Sequence, residues 1–181
     1  YWRGIYRLDD FFDEYPSAAL CAELVGDNPY NSKRDSSVPP GLWFFCFDIM
    51  NADGSFVPVE EKYLIFEKYS FPGVRTFGRF TSGDCDALSA IMLDLNSRRR
   101  EGLVMKRPGS GSAIKFVTAI SDLADLEQFL AYFYDIEPGF YSNRIMRIAL
   151  FVQEFGLDAG EYSRRIGDAV LKGYDRLRNY N

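Results

Sequence analysis

The sequence predicts an α+β protein, with an antiparallel-sheet domain over residues 1–120 followed by a small helical domain over 121–181. Three observations carry this. Short runs of aromatic and β-branched residues, bounded by Gly, Pro, Asn and Asp, fill the first part of the chain. The turn Asn51-Ala52-Asp53-Gly54 joins two of those runs, and Asp-Gly is a strong hairpin signal. From Ser121 onward, apolar residues recur at the helical period instead.

Taken in order, a short helix is expected around Leu8 to Tyr15. SAALCAELV (17–25) reads as a strand closed by Gly26, and 27–41 as a loop. LWFFCFDIM is a buried strand by its continuous apolar character, and SFVPV returns from the hairpin as its partner. Val59, Tyr63 and Phe66 have helical spacing, whereas VRTFGRF alternates like a strand. Asp84 is placed to cap a helix carrying Leu88, Ile91, Met92 and Leu95. Arg98, Arg99 and Arg100 follow, where the helix dipole favours cations. EGLVMK and SAIKFVT form two strands around the turn 107–111. Three helices complete the chain. The first carries Leu123, Leu126, Phe129, Leu130 and Phe133. The second opens near Pro138, carries Ile145, Ile148, Ala149 and Val152, and stops at Gly156. The third opens with Asp158 and Glu161 as a capping-box-like pair and carries Tyr162, Ile166, Ala169, Val170 and Leu177.

Composition narrows the chemistry. The 181 residues are 47% hydrophobic and 17% aromatic, enough apolar material for a globular core. No run reaches the roughly 18 apolar residues of a membrane span, and the start lacks the pattern of a secretory signal. A net charge of −5 argues against unspecific coating of nucleic acid. Cys21, Cys46 and Cys85 are odd in number and widely spaced, fitting neither a zinc site nor a disulfide framework. Cys21 and Cys46 read as buried thiols, and a cytoplasmic location is expected. With no histidine at all, any catalysis rests on carboxylates, lysines, arginines and a bound ion.

Four segments place polar groups inside apolar strands: CAELVGDNPY, FFCFDI, EGLVMK and AIKFV. A charge buried in a strand is costly unless it is paired, metal-bound or facing a cleft, so four in succession suggest one shared cleft. Strict alternation puts Phe45 and Phe47 on one face and Phe44, Cys46 and Asp48 on the other. A ring facing a cleft can stack on a purine, worth roughly 1–3 kcal/mol, although aromatic strands are more often core. Glu23 would accept hydrogen bonds from ribose hydroxyls or, alternatively, form an internal ion pair. Alternation groups Glu101 with Leu103 and Met105; Glu101 would hold a divalent ion near phosphate or pair with the preceding arginines. Lys115, between Ile114 and Phe116, calls for an anion such as a nucleotide α-phosphate, or else lies on a solvated edge.

In this order and spacing, the four segments resemble motifs III, IIIa, IV and V of the covalent nucleotidyltransferases: DNA ligases, RNA ligases and capping enzymes. The GDNPY extension and the helical tail with FYSNRIMR most resemble the archaeal-type, homodimeric ATP-dependent RNA ligases. The resemblance implies the later portion of an antiparallel-sheet, ATP-grasp-like nucleotidyltransferase domain over 1–120 and a helical dimerisation domain over 121–181. It implies ATP as cosubstrate, Mg2+ or Mn2+, and RNA with 5′-phosphate and 3′-hydroxyl ends as substrate. By it, Glu23 contacts ribose or helps orient the attacked site, Phe47 (with Phe45 second) stacks on adenine, Glu101 binds metal, Lys106 lines the nucleotide site and Lys115 contacts the α-phosphate.

The chain departs from the family pattern in two places. The nucleophilic lysine belongs to K-x-D-G or K-x-E-G ahead of motif III, and neither tetrapeptide occurs in these residues. With no initial Met, a truncated chain, inactive alone, is expected. Motif V keeps only Lys115, because Ala113 stands where many relatives carry a second lysine. The alternatives are another polynucleotide ligase, which would usually append an OB-fold where helices stand here, or a non-catalytic binding module using Arg98–Arg100, Lys106 and Arg107 as a phosphate patch.

Overall fold

The computed structural model describes residues 6–26, 40–108, 112–132 and 138–179. The loop expected over 27–39, the GDNPY extension beyond Gly26, the turn tip 109–111 and the residues Phe133 and Tyr134 lie outside that set. So do the side chains of Phe129, Leu130, Tyr132 and Leu177. The elements are α1 (Leu8–Glu14), β1 (Ala19–Gly26), β2 (Leu42–Met50), α2 (Val59–Lys68), α3 (Cys85–Ser97), β3 (Gly102–Lys106), β4 (Ala113–Val117), α4 (Ala119–Tyr132), α5 (Pro138–Glu154) and α6 (Ala159–Asn179). β1 pairs with β2 and β3 with β4, so the architecture is α+β with two small sheets. The chain divides into two compact units: Tyr1–Gly78 with Lys106–Ser112, and Arg79–Met105 with Ala113–Asn181.

The first unit is built on aromatic packing. Phe11 of α1 is fully buried, with Tyr69 and Phe71 edge-on at 5.5 and 5.4 Å between ring centroids. Phe44, Cys46 and Ile49 of β2 and Ile65 and Phe66 of α2 join the same core. Two expected strands are not formed. SFVPV contributes only a Met50–Phe56 bridge, because Pro58 has no N–H to donate and its φ of −54° starts α2 instead. VRTFGRF pairs only at its start, where the Val74 N–H meets the Cys46 carbonyl at 2.9 Å; Gly78, at φ +125°, then breaks the extended run.

Helix ends in both units follow one device. In α2, α3 and α5 the N–H two residues past the C-cap returns to a carbonyl of the last turn: Phe71 to Phe66, Arg100 to Leu95 and Leu157 to Val152. The intervening left-handed residues are Ser70, Arg99 and the foreseen Gly156. Asp84 precedes α3 but makes no cap. Its carboxylate accepts the Thr81 N–H and hydroxyl at 2.6 and 2.8 Å, and these bonds hold its pKa below the ordinary carboxylate value.

In the second unit α4 starts at Ala119, two residues earlier than expected, because the Asn96 side chain accepts the Ile120 N–H at 3.0 Å. Leu123, Leu126, Ile148, Phe151, Val152, Tyr162 and Ala169 are buried, whereas Val170, expected inside, is 45% exposed. Buried Asp122 takes a two-pronged contact from Arg147, and Arg165 reaches Glu127 at 2.9 Å, tying α4 to α5 and α6. Asp158 caps α6 through the Gly160 and Glu161 N–H groups.

Candidate functional site

Glu23, Phe45, Phe47 and Lys106 belong to the first unit, and Glu101 and Lys115 to the second. Glu23 lies directly across from Phe45 in the β1–β2 register, so the two share a face. Glu23 is exposed and has no ion-pair partner among the described residues.

The register then slips. Cys21 faces Asp48 and Ala22 faces Cys46, which leaves Phe47 as the extra residue of a β-bulge. Simple alternation separates Phe47 from Asp48. The bulge instead lets both reach one cation: Lys106 pairs with the Asp48 carboxylate, and its ammonium lies 5.3 Å from the Phe47 ring centroid. The other Asp48 oxygen accepts from the Lys62 ammonium at 2.8 Å. Lys62 also donates to the Phe47 carbonyl at 2.6 Å. The Lys62 and Asp48 side chains are only 5% and 9% exposed, while Phe47 is 37% exposed.

One carboxylate between two ammonium groups leaves net positive charge beside an accessible ring. That pairing suits a ligand with an aromatic base and an anionic group. Cys21, across from Asp48, is half-buried rather than buried; burial, helped by the Asp48 charge, raises its pKa and keeps it a thiol. Burial pushes Cys46 up to about 12.

In the second unit Glu101 and Lys115 form an ion pair, with both side chains 55% exposed. An unbroken pleat would group Glu101 with Leu103 and Met105. Gly102 interrupts it at φ +152°, and a Cβ there would lie 1.8 Å from the Phe116 carbonyl oxygen. Only glycine lets the two strands approach this closely. The Thr118 N–H holds the Glu101 carbonyl at 2.8 Å, and the Thr118 hydroxyl holds that of Arg100 at 2.6 Å. Of the arginine run, Arg98 pairs with Asp94 at 2.8 Å and Arg99 occupies the left-handed helix cap.

Among the described residues, no three His, Cys, Asp or Glu side chains cluster as a ready-made metal cage. A lone exposed carboxylate such as Glu101 nonetheless fits Mg2+, which keeps waters and takes one or two carboxylates plus substrate phosphate. The sequence reading missed Lys62 as a site residue. Its signal was present: a lysine three and four residues before Ile65 and Phe66, on the apolar side of an amphipathic helix.

The RNA ligase family model matches residues 2–117. An uncharacterized protein of Methanocaldococcus jannaschii is 29% identical over 172 residues, which are 90% of this chain and 44% of that protein. Two solved forms of an archaeal ATP-dependent RNA ligase are similar at 30% identity and a TM-score of 0.83; the matches cover 94% and 93% of this chain and 48% and 47% of theirs. A chain from Aquifex aeolicus, provisionally titled an ATP-dependent DNA ligase, matches at 30% identity and a TM-score of 0.80, over 94% of this chain and 50% of its own. The chain therefore spans about half the length of these relatives. With the four strand segments in family order and the family model extending over well more than half of the residues, the chain belongs to the RNA ligase family.

Proposed function

We propose that the chain works within an ATP-dependent RNA ligase that joins RNA 5′-phosphate and 3′-hydroxyl ends through lysyl-AMP and RNA-adenylate. The observation that carries this reading is the accessible Phe47 ring beside the Lys106 ammonium, on a sheet whose exposed Glu23 has no ion-pair partner among the described residues. In this reading Phe47 stacks on adenine, Phe45 flanks it, Glu23 takes ribose hydroxyls and Lys106 lines the nucleotide site. Lys115 exchanges Glu101 for the α-phosphate, a stronger anion. Glu101 so released would hold a magnesium or manganese ion, which supplies neutralisation of phosphate charge.

The reaction has three displacements. An uncharged lysine amine attacks the ATP α-phosphorus, forming a P–N bond as pyrophosphate leaves. An RNA 5′-phosphate oxygen attacks the same phosphorus and the lysine departs. The 3′-hydroxyl then attacks the RNA 5′-phosphorus, loses its proton, and AMP leaves. The 181 residues contain no K-x-D-G or K-x-E-G, so this chain alone forms no covalent adduct. Residues 121–181 serve as a homodimerisation domain in a reducing cytoplasm. Supporting this are the exposed Met146 and Leu150 on α5 and Val170, Leu171 and Tyr174 on α6.

The test is calorimetric titration of the chain with ATP and magnesium, beside gel analysis after incubation with labelled ATP. ATP binding that Phe47→Ala weakens about tenfold or more, with no labelled band, is expected. Equal binding by Phe47→Ala removes the base platform, and a labelled band overturns the account of the nucleophile. The similarity to the Aquifex chain favours DNA sealing as a second reading. Comparing nicked DNA with RNA ends, using a protein that carries this chain behind a K-x-D-G segment, separates the two.

A further inference from the structure

We infer that Lys62 is a positioning residue for the base platform: its buried ammonium locks the Phe47–Asp48 bulge and thereby aims the Phe47 ring. This rests on the nucleotide-binding reading above and deepens it. Lys62 is 4% exposed, in a position otherwise fit for an aliphatic side chain. A lysine there must place its charge, and it does so on two adjacent residues, the Phe47 carbonyl at 2.6 Å and the Asp48 carboxylate at 2.8 Å. A bulged residue lacks its regular cross-strand partner. At Phe47 that role passes to a side chain from α2.

The consequence is a division of labour at Asp48. One oxygen is committed to the buried Lys62, and the other holds Lys106, whose side chain is 30% exposed. Lys106 is thus the exchangeable cation beside the Phe47 ring, and Lys62 the fixed one behind it. Without Lys62, Asp48 would turn wholly to Lys106, and the Phe47 carbonyl would be released to find water. The ring would then sample several directions and stack less well on a base, while groups that contact phosphate elsewhere would be unchanged.

A double-mutant cycle tests this on the full 181-residue chain, with ATP affinity measured by calorimetry and tripolyphosphate as a base-free probe. Lys62→Met is expected to weaken ATP about tenfold and leave tripolyphosphate within twofold. In a Phe47→Ala background Lys62→Met should cost ATP less than twofold, because the ring it aims is gone. An equal ATP loss in both backgrounds would overturn the inference, as would parallel losses of ATP and tripolyphosphate. If Lys62→Met does not fold, Lys62→Gln, which removes the charge while Asp48 stays paired with Lys106, takes its place in the same cycle. A wild-type chain that binds tripolyphosphate but not ATP would remove the base platform and this inference together. Wild-type ATP binding with an unaffected Lys62→Met removes this inference alone.

Discussion

The two charge centres of this chain are built in opposite ways. In the first unit Lys62 and Asp48 are almost wholly buried, and the Lys62 ammonium is fixed on both the Asp48 carboxylate and the Phe47 carbonyl. In the second, Glu101 and Lys115 stand more than half exposed and, among the described residues, form an ion pair with each other. Burial removes water as an alternative partner, so the first pair is part of the strand's architecture. Exposure keeps water competing, so the second pair is held weakly and can be exchanged for a ligand. One chain thus carries a centre that holds shape and another fit to trade partners.

The sharpest way to break this contrast is Asp48→Ala. It strands the Lys62 ammonium in the core, and a loss of about 3–5 kcal/mol in chemical denaturation is expected. A loss below about 1 kcal/mol would place the pair in the same class as Glu101–Lys115. Next is Gly102→Ala, whose new methyl would collide with the Phe116 carbonyl in a left-handed backbone. Strain of that kind costs on the order of 1–3 kcal/mol, and it should also part Glu101 from Lys115. Denaturation together with NMR shifts of Lys115 would report both effects.

Helix ends extend the comparison to backbone strain. Ser70 and Arg99 sit left-handed at exposed positions where Gly156 does the same job without penalty. Ser70→Gly and Arg99→Gly should each stabilise by up to about 1 kcal/mol, and Gly156→Ala should destabilise by a similar amount. Smaller still is Glu101→Gln, expected to shift stability by less than about 0.5 kcal/mol because the pair is solvated.

What was legible in the sequence divides along the same line. The helix over Leu8–Glu14, strand β2, the stop at Gly156 and the cap at Asp158 depend on neighbours within a few residues, and all were readable. The candidate residues were visible as polar groups in apolar strands. Their surroundings were not. The bulge at Phe47 exists only because Cys21 pairs with Asp48 and Ala22 with Cys46, a match set by two distant strands. Period-two alternation carries no term for such an insertion. The Asp84 cap failed for a local reason: Thr81 offers two donors on the preceding turn, and a side chain satisfied there does not also close the helix.

The smallest expected effect lies at Glu14, an exposed carboxylate on α1. The Lys68 ammonium at 2.6 Å, then the Tyr69 hydroxyl, hold its pKa below the ordinary 4.5. Because the folded value is lowered, the bound state favours the ionised form. The contribution to stability is therefore complete above the unfolded pKa and disappears as pH falls through the folded one. Melting curves from neutral pH down to about 3 should show Glu14→Gln losing less on acidification than the parent chain, since the group that titrates is gone. Superimposable acid profiles for the two proteins would mean that α1 is held on Tyr69 by the packing of Phe11 alone, leaving the ion pair at the surface without a measurable share.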